Sequence, residues 1–250
     1  MALFSAVELS IVLPTYKEKE NLSVLVPQIE SAFGGLSGEA GFEIIVVDDG
    51  SKDGTAELLG DFNKRFGNVR LIERGGLYGI GSALRDGYNA ARGEFILSSD
   101  ADLSFRPEDM KRLYEKIKEG CDLVLGYKIK YVPISEAGAD GGVKDAWFKY
   151  AVSMLGNWTV LVLSRIKLKN FNTNFRILRR EKWLKIKTNE NNNFFNFETI
   201  LKFSRNGFSI AEIPVMFYER RFGQSKLRFM KEAPKYFSKL IWYVFFDRSK

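Results

Sequence analysis

Ile44-Ile45-Val46-Val47 is an unbroken apolar run that follows Glu43 and passes straight into Asp48-Asp49-Gly50-Ser51-Lys52-Asp53-Gly54-Thr55. Successive side chains of a strand point to opposite faces, so a run apolar at every position must be covered on both faces, the condition of a parallel sheet sandwiched by helices. The same pattern recurs along the chain. Leu9 to Leu13 is a strand candidate that stops at Pro14, ahead of Thr15-Tyr16-Lys17-Glu18, and Phe95-Ile96-Leu97 stops ahead of Asp100-Ala101-Asp102. Val69 to Ile72 and Leu123 to Gly126 supply two further strands. Helices are expected between them: one from about Glu20 to Phe33, one entered from the Asp53 loop, one ending near Ala91, and one started by Pro107-Glu108-Asp109. Strand alternating with helix predicts an α/β fold with a Rossmann-like, doubly wound, mostly parallel sheet. Ligands of such sheets bind outside the carboxyl ends of the strands, and the loops at 14–18, 48–53 and 100–102 all lie there.

Asp100 and Asp102 are separated only by Ala101, so in an extended backbone both carboxylates face one point just beyond the strand. Two acids aimed at one point suit Mg²⁺ or Mn²⁺, ions held by one or two carboxylates together with substrate phosphates. On spacing alone, a solvated turn capping the next helix fits equally well. The position at a strand end, beside two other polar loops, favours the metal.

Composition removes several chemistries. The chain of 250 residues contains no histidine, so it has no His-liganded zinc, no Ser-His or Cys-His pair and no imidazole base. Its single cysteine, Cys121, excludes an internal disulfide and reads as a small buried apolar residue. Catalysis must run on carboxylates, Lys and Arg, hydroxyls, backbone amides and a metal. The formal charge of +7 is concentrated at the end of the chain, where residues 221–250 hold eight basic side chains against Glu232 and Asp247. That excess points to an anionic surface or ligand, lipid head groups or nucleic acid.

Five segments, in order, resemble the inverting family-2 glycosyltransferases with the GT-A fold, in the dolichol-phosphate mannose synthase branch. They are PTYKEKENL at 14–22, VVDDGSKDGT at 46–55, GIGSALRDGYNAARGEF at 79–95, SDADLSFRPE at 99–108, and a late R-x-x-G-x-S-K formed by Arg220, Gly223, Ser225 and Lys226. The resemblance covers roughly residues 8–228. It implies that Pro14, Thr15, Tyr16 and Glu18 shape a nucleoside pocket, with Asp48, Asp49 and Ala101 also on the donor. Asp100 and Asp102 would hold the metal on the donor diphosphate, and Arg220 and Lys226 would clamp the leaving group. The implied acceptor, a polyprenyl phosphate, is already largely dianionic at neutral pH and needs no general base. Lysines stand where the family has arginines for that phosphate, at Lys128 and Lys149; Ser153 and Asn157 follow Lys149 on one helical face. Asn170-Phe171-Asn172-Thr173-Asn174-Phe175-Arg176 replaces D-x-x-S-G-F-R, losing its aspartate and glycine but keeping Arg176 as a further acceptor contact.

Membrane contact is expected to be peripheral. Met1 to Val7 lacks the features of a signal peptide. Tyr150 to Leu163 is uncharged for fourteen residues, short of the roughly 20 that a span requires. Residues 1–228 are expected to form the transferase domain and 229–250 a basic, aromatic tail. In that tail Lys231, Lys235 and Lys239 accompany Phe237, Trp242 and Tyr243, a pattern suited to the head-group layer. The alternative is a helix docked on the domain with its lysines in water. The activity so implied is transfer of mannose from GDP-mannose to dolichyl or polyprenyl phosphate, on the cytoplasmic face of a membrane. Rival readings are the same scaffold with another donor, such as UDP-glucose or UDP-GlcNAc, or a glycan or protein acceptor. A non-catalytic module binding nucleic acid through the tail is a further rival, and no aromatic-interleaved basic groove beyond the tail supports it.

Overall fold

The structure, a computed structural model, describes residues 6–36, 40–132, 166–218 and 238–247. Its elements are β1 (Ala6–Thr15), α1 (Lys19–Phe33), a 3₁₀ turn (Gly34–Leu36), β2 (Ala40–Asp48), α2 (Thr55–Phe66), β3 (Val69–Glu73), α3 (Ile80–Ala90), β4 (Phe95–Ser98), α4 (Pro107–Lys118) and β5 (Leu123–Val132). After the segment outside the described residues come β6 (Arg176–Arg179), α5 (Arg180–Trp183), α6 (Phe194–Arg205) and β7 (Ile210–Tyr218). A last helix, α7, spans 238–245.

The strands form one seven-stranded sheet in the order β3-β2-β1-β4-β6-β5-β7. The first four are mutually parallel, β7 is parallel to β5, and β6 alone runs antiparallel, wedged between β4 and β5. The mostly parallel sheet expected from the alternation is present. β6 and β7 are the additions: the four residues of β6, Arg-Ile-Leu-Arg, carry a charge at each end and give too short an apolar run to stand out, and in β7 Glu212 and Pro214 interrupt the run.

The two faces explain why the strands are apolar throughout. Leu9, Ile11, Leu13, Ile44, Val46, Phe95 and Leu97 share one core with Leu22, Leu25 and Ile29 of α1 and Met110 and Leu113 of α4. The alternate residues Val12, Ile45, Val47 and Ile96 enter the other core, with Ala83 and Leu84 of α3 and the phenylalanines of α6. Helix α3 lies close against the sheet at Gly87, where a Cβ would collide with Val12 and press on Val47.

The tail departs from the expected separate segment. Leu240 and Tyr243 of α7 are buried in the second core, and Tyr243 packs on Phe194 at 5.2 Å between ring centroids. Arg205 at the end of α6 donates to the Tyr243 carbonyl at 2.6 Å and the Asp247 carbonyl at 2.7 Å, closing the C-terminal end of α7. Lys239 pairs with Glu190 of the domain. Lys239 and Tyr243 therefore face protein, while Trp242, Phe245 and Phe246 are exposed. Lys231, Lys235 and Phe237 lie outside the described residues. Among the described residues, no helix is long and apolar enough to cross a membrane.

Candidate active site

The register of the parallel strands sets Thr15 beside Asp48 and Asp48 beside Glu73, so three carboxyl ends finish level. Asp48, 3% exposed, accepts hydrogen bonds from the Ser51 amide at 2.7 Å and the Ser51 hydroxyl at 2.6 Å. Ser51 Oγ in turn accepts from the Lys17 amide at 2.6 Å, and the Asp49 amide donates to the Thr15 carbonyl at 3.0 Å. Together these bonds fasten the loop after β1 to the loop after β2. Pro14 and Thr15 are buried beneath it, with Tyr16 and Glu18 half-buried at its rim. Thr15 Oγ1 is a buried hydroxyl with no hydrogen-bond partner among the described residues, an uncommon state for a native polar atom and one that a ligand would relieve.

Asp49 points the other way, as the alternation of adjacent side chains requires. Its carboxylate is engaged by Arg74, which follows β3, through Nε at 2.6 Å. Arg74 also donates to the Ser82 hydroxyl at 2.7 Å and to Asp86 at 3.1 Å, joining the loop after β2 to the start of α3. Burial pushes the Asp49 carboxyl above its usual value, against the pull of Arg74. The expected donor contact at Asp49 is thus taken up by an internal ion pair. Arg74 was not singled out from the sequence, although its place at a strand's carboxyl end was the available signal.

Asp100, Ala101 and Asp102 follow β4. Asp102 is 4% exposed and its Oδ1 accepts from the Ser104 amide at 3.0 Å. Asp100 is half-buried and its Oδ1 accepts from Asn174 Nδ2 at 2.8 Å. Between them and the helix, Leu103 takes a φ of 62°, a left-handed conformation rare for a branched apolar residue. Ser104 Oγ is also buried with no hydrogen-bond partner among the described residues. Phe105 stacks flat on Phe175 at 4.2 Å and meets the edge of Phe217 at 5.4 Å, giving the loop an aromatic floor. Exposed Lys128 sets its ammonium 3.3 Å from the Phe217 centroid, so it belongs to the same corner as the aspartate loop.

Arg176 differs from its expected acceptor contact. It is fully buried, and its guanidinium donates to the Thr173 carbonyl through Nε at 3.0 Å and to the Asn196 carbonyl at 3.3 Å. The arginine holds the 173–176 turn against α6. Lys149, Ser153, Asn157, Arg220 and Lys226 lie outside the described residues.

The donor set fits a divalent ion completed by a ligand. Among the described residues no group of three or more acidic, His or Cys side chains could hold a metal alone. The Asp100–Asp102 pair has the one-or-two-carboxylate composition of sites that share Mg²⁺ or Mn²⁺ with phosphate oxygens.

Residues 10–136 match the family described as Glycosyl transferase family 2. The chain is 31% identical over 229 residues to the polyprenol monophosphomannose synthase of Mycolicibacterium smegmatis, covering 87% of this chain and 80% of that protein. It is also 31% identical over 226 residues to the dolichol-phosphate mannosyltransferase of Pyrococcus furiosus, covering 88% of this chain and 59% of that protein. Among solved structures, glucosyl-3-phosphoglycerate synthase of Mycobacterium tuberculosis with Mn²⁺, uridine diphosphate and glucosyl-3-phosphoglycerate superposes at a TM-score of 0.64 with 19% identity, over 94% of this chain and 77% of that one. The Mg²⁺ and uridine diphosphate complex of the same enzyme gives 0.66 with 17% identity, over 94% and 79% of the two chains. These superpositions show that the chain shares the fold of those structures.

Proposed function

Since the chain belongs to glycosyl transferase family 2, we propose that it transfers mannose, with inversion at C1, from GDP-mannose to a polyprenyl phosphate of the dolichyl type. One observation carries this reading. Asp100 and Asp102 stand at the carboxyl end of β4, beside the loops of β1 and β2, in a chain 31% identical over most of its length to two enzymes named for mannose transfer to polyprenol or dolichol phosphate.

Each loop has a task in that reaction. Pro14, Thr15, Tyr16 and Glu18 form the nucleoside wall, where Tyr16 offers a stacking face and the orphaned Thr15 hydroxyl a donor and acceptor. Asp48, held by Ser51, presents a fixed acceptor edge for ribose or base. Asp100 and Asp102 would hold Mg²⁺ or Mn²⁺, which neutralises charge on the departing diphosphate. Arg220 and Lys226 act on the same diphosphate as fixed cations, by the electrostatic logic of phosphoryl transfer. Lys128, with Lys149, Ser153 and Asn157, receives the acceptor phosphate. A lysine does so as a point charge, where arginine would form a bidentate fork. No side chain has to remove a proton, because the acceptor phosphate arrives as its own nucleophile.

The lipid acceptor requires approach to a membrane. The exposed Trp242 and Phe245 of α7, with Phe246 just beyond it, present an aromatic face of the kind that seats at the head-group layer, and the basic residues 221–250 add attraction to anionic lipid. We place the enzyme peripherally, on the cytoplasmic face, with α7 docked on the transferase domain through Leu240 and Tyr243 and its exposed aromatic side chains turned to the interface.

Donor choice is tested by thermal protection. GDP with Mn²⁺ at a hundred times its Kd should raise stability by about 2.7 kcal/mol, and UDP should give little. Protection by UDP and none by GDP would move the donor to a uridine sugar and overturn the mannose assignment.

A further inference from the structure

Asn174 is held from both ends. Its backbone carbonyl accepts from Ser98 Oγ at 2.6 Å, and Ser98 is the last residue of β4, two before Asp100. The Ser98 hydroxyl is itself shared with Tyr88 at 2.7 Å in the buried core. On the side chain, Asn174 Oδ1 accepts from Asn196 Nδ2 at 2.7 Å, and Asn174 Nδ2 donates to Asp100 Oδ1 at 2.8 Å. Asn196 lies in the first turn of α6, is 2% exposed, and has its own carbonyl pinned by the buried Arg176.

The direction of this chain matters. An amide has one oxygen and one NH₂, so an asparagine obliged to accept on its oxygen must turn its NH₂ the other way. Asn196 Nδ2 can only donate and the Asp100 carboxylate can only accept, so the two together fix the flip of Asn174 and place a donor against Asp100. A carboxylate hydrogen-bonded on one oxygen loses rotation about its terminal torsion, so its remaining lone pairs are aimed before any ion arrives.

We infer that Asn174, set by Asn196, is a positioning residue that orients Asp100 for the divalent cation. This rests on the assignment of Asp100 and Asp102 as metal ligands.

Mn²⁺ binding to the full chain, followed by electron paramagnetic resonance with GDP present, tests the inference. Asn174→Ala should weaken Mn²⁺ by about 10- to 100-fold, the usual effect of removing a group that orients a metal ligand. Its metal-free GDP affinity should stay within error of the parent, while the orphaned Asn196 amide lowers its melting temperature by a few degrees. In transfer assays the Mn²⁺ concentration for half activity should rise by a similar factor, with kcat at saturating Mn²⁺ changed less. Asn196→Asp removes the donor to Asn174 Oδ1 and should shift Mn²⁺ affinity in the same direction. Asp102→Ala is the control that separates the two claims. If it abolishes Mn²⁺ binding while Asn174→Ala and Asn196→Asp bind like the parent, the positioning role is overturned and the metal assignment stands. If the parent and Asp102→Ala bind Mn²⁺ alike, the metal assignment fails and the positioning role falls with it.

Discussion

Among the described residues Leu103, at a φ of 62°, and Lys17, at 56°, are the non-glycine residues in the left-handed region, and such a conformation costs on the order of 1–3 kcal/mol. The strain at Leu103 is sustained from both sides: the Ser104 amide donates to Asp102 at 3.0 Å, and the Ser104 carbonyl accepts from the Tyr218 amide at 2.9 Å. Its effect is to turn the chain so that Asp102 stays under the loop, beside β4, and the chain then enters α4. Asp102→Ala and Asp100→Ala should each lower kcat/KM for metal-dependent transfer by at least about a hundredfold, roughly 2.7 kcal/mol of transition-state stabilisation. Steady-state assays at saturating Mn²⁺ check this, and full activity in both variants would remove the pair from the mechanism. These aspartates were legible in the sequence because strand and loop are contiguous and the strand-end rule needs no tertiary knowledge. Asn174 was not, because its contact with Asp100 bridges 74 positions. The neighbours Asp48 and Asp49 were read together, yet adjacent side chains diverge, and only the fold reveals that Arg74 claims the second.

At the scale of elements, the pattern of apolar runs leaves out β6, β7 and α6, and the expected tail helix α7 divides between the two readings offered for it. β6 is short, carries the buried Arg176, and pairs antiparallel with both β4 and β5. α7 reads as an amphipathic tail, but burial divides its residues between two tasks. Leu240 and Tyr243 face the domain, where the Tyr243 hydroxyl reaches the buried Glu198 at 3.1 Å; Trp242, Phe245 and Phe246 face away. Glu198 also accepts from the Asn189 amide at 2.8 Å and the Glu190 amide at 3.0 Å, so α7 is tied to the loop that enters α6. Two variants separate the tasks. Leu240→Ala should cost about 2–5 kcal/mol of stability through the cavity it leaves, measured by denaturant unfolding. The double variant Trp242→Ala with Phe245→Ala should leave the unfolding midpoint unchanged and reduce co-sedimentation with anionic vesicles severalfold. Equal pelleting of the double variant would take the aromatic face out of membrane contact.

At the scale of the whole molecule, stability and charge respond to pH through contacts distant from the site. Tyr114 of α4 donates to Glu8 at the start of β1, holding that carboxyl below its usual 4.5 against burial, with Lys118 assisting. Burial and the neighbouring Glu8 push the Tyr114 hydroxyl up to about 12, so it stays a donor throughout the physiological range. A carboxyl lowered in the fold contributes stability that is present above its unfolded pKa and lost as pH falls through the folded value. Tyr114→Phe should therefore destabilise by about 1 kcal/mol at pH 7, and the gap to the parent should narrow below about pH 4. Unfolding curves at the two pH values check it, and a gap that widens in acid would contradict the sign. The remaining polar loops all gather at one edge of the sheet, so the account of this molecule stands or falls on what that edge binds and transfers. The most direct test is transfer by the purified full chain from radiolabelled GDP-mannose to dolichyl phosphate in detergent, with Mn²⁺ or Mg²⁺, in the presence and absence of chelator. The account predicts label in the lipid phase that disappears with chelator. Label that persists with chelator would contradict the role given to Asp100 and Asp102, and no lipid-phase label under any metal would contradict the assigned reaction itself.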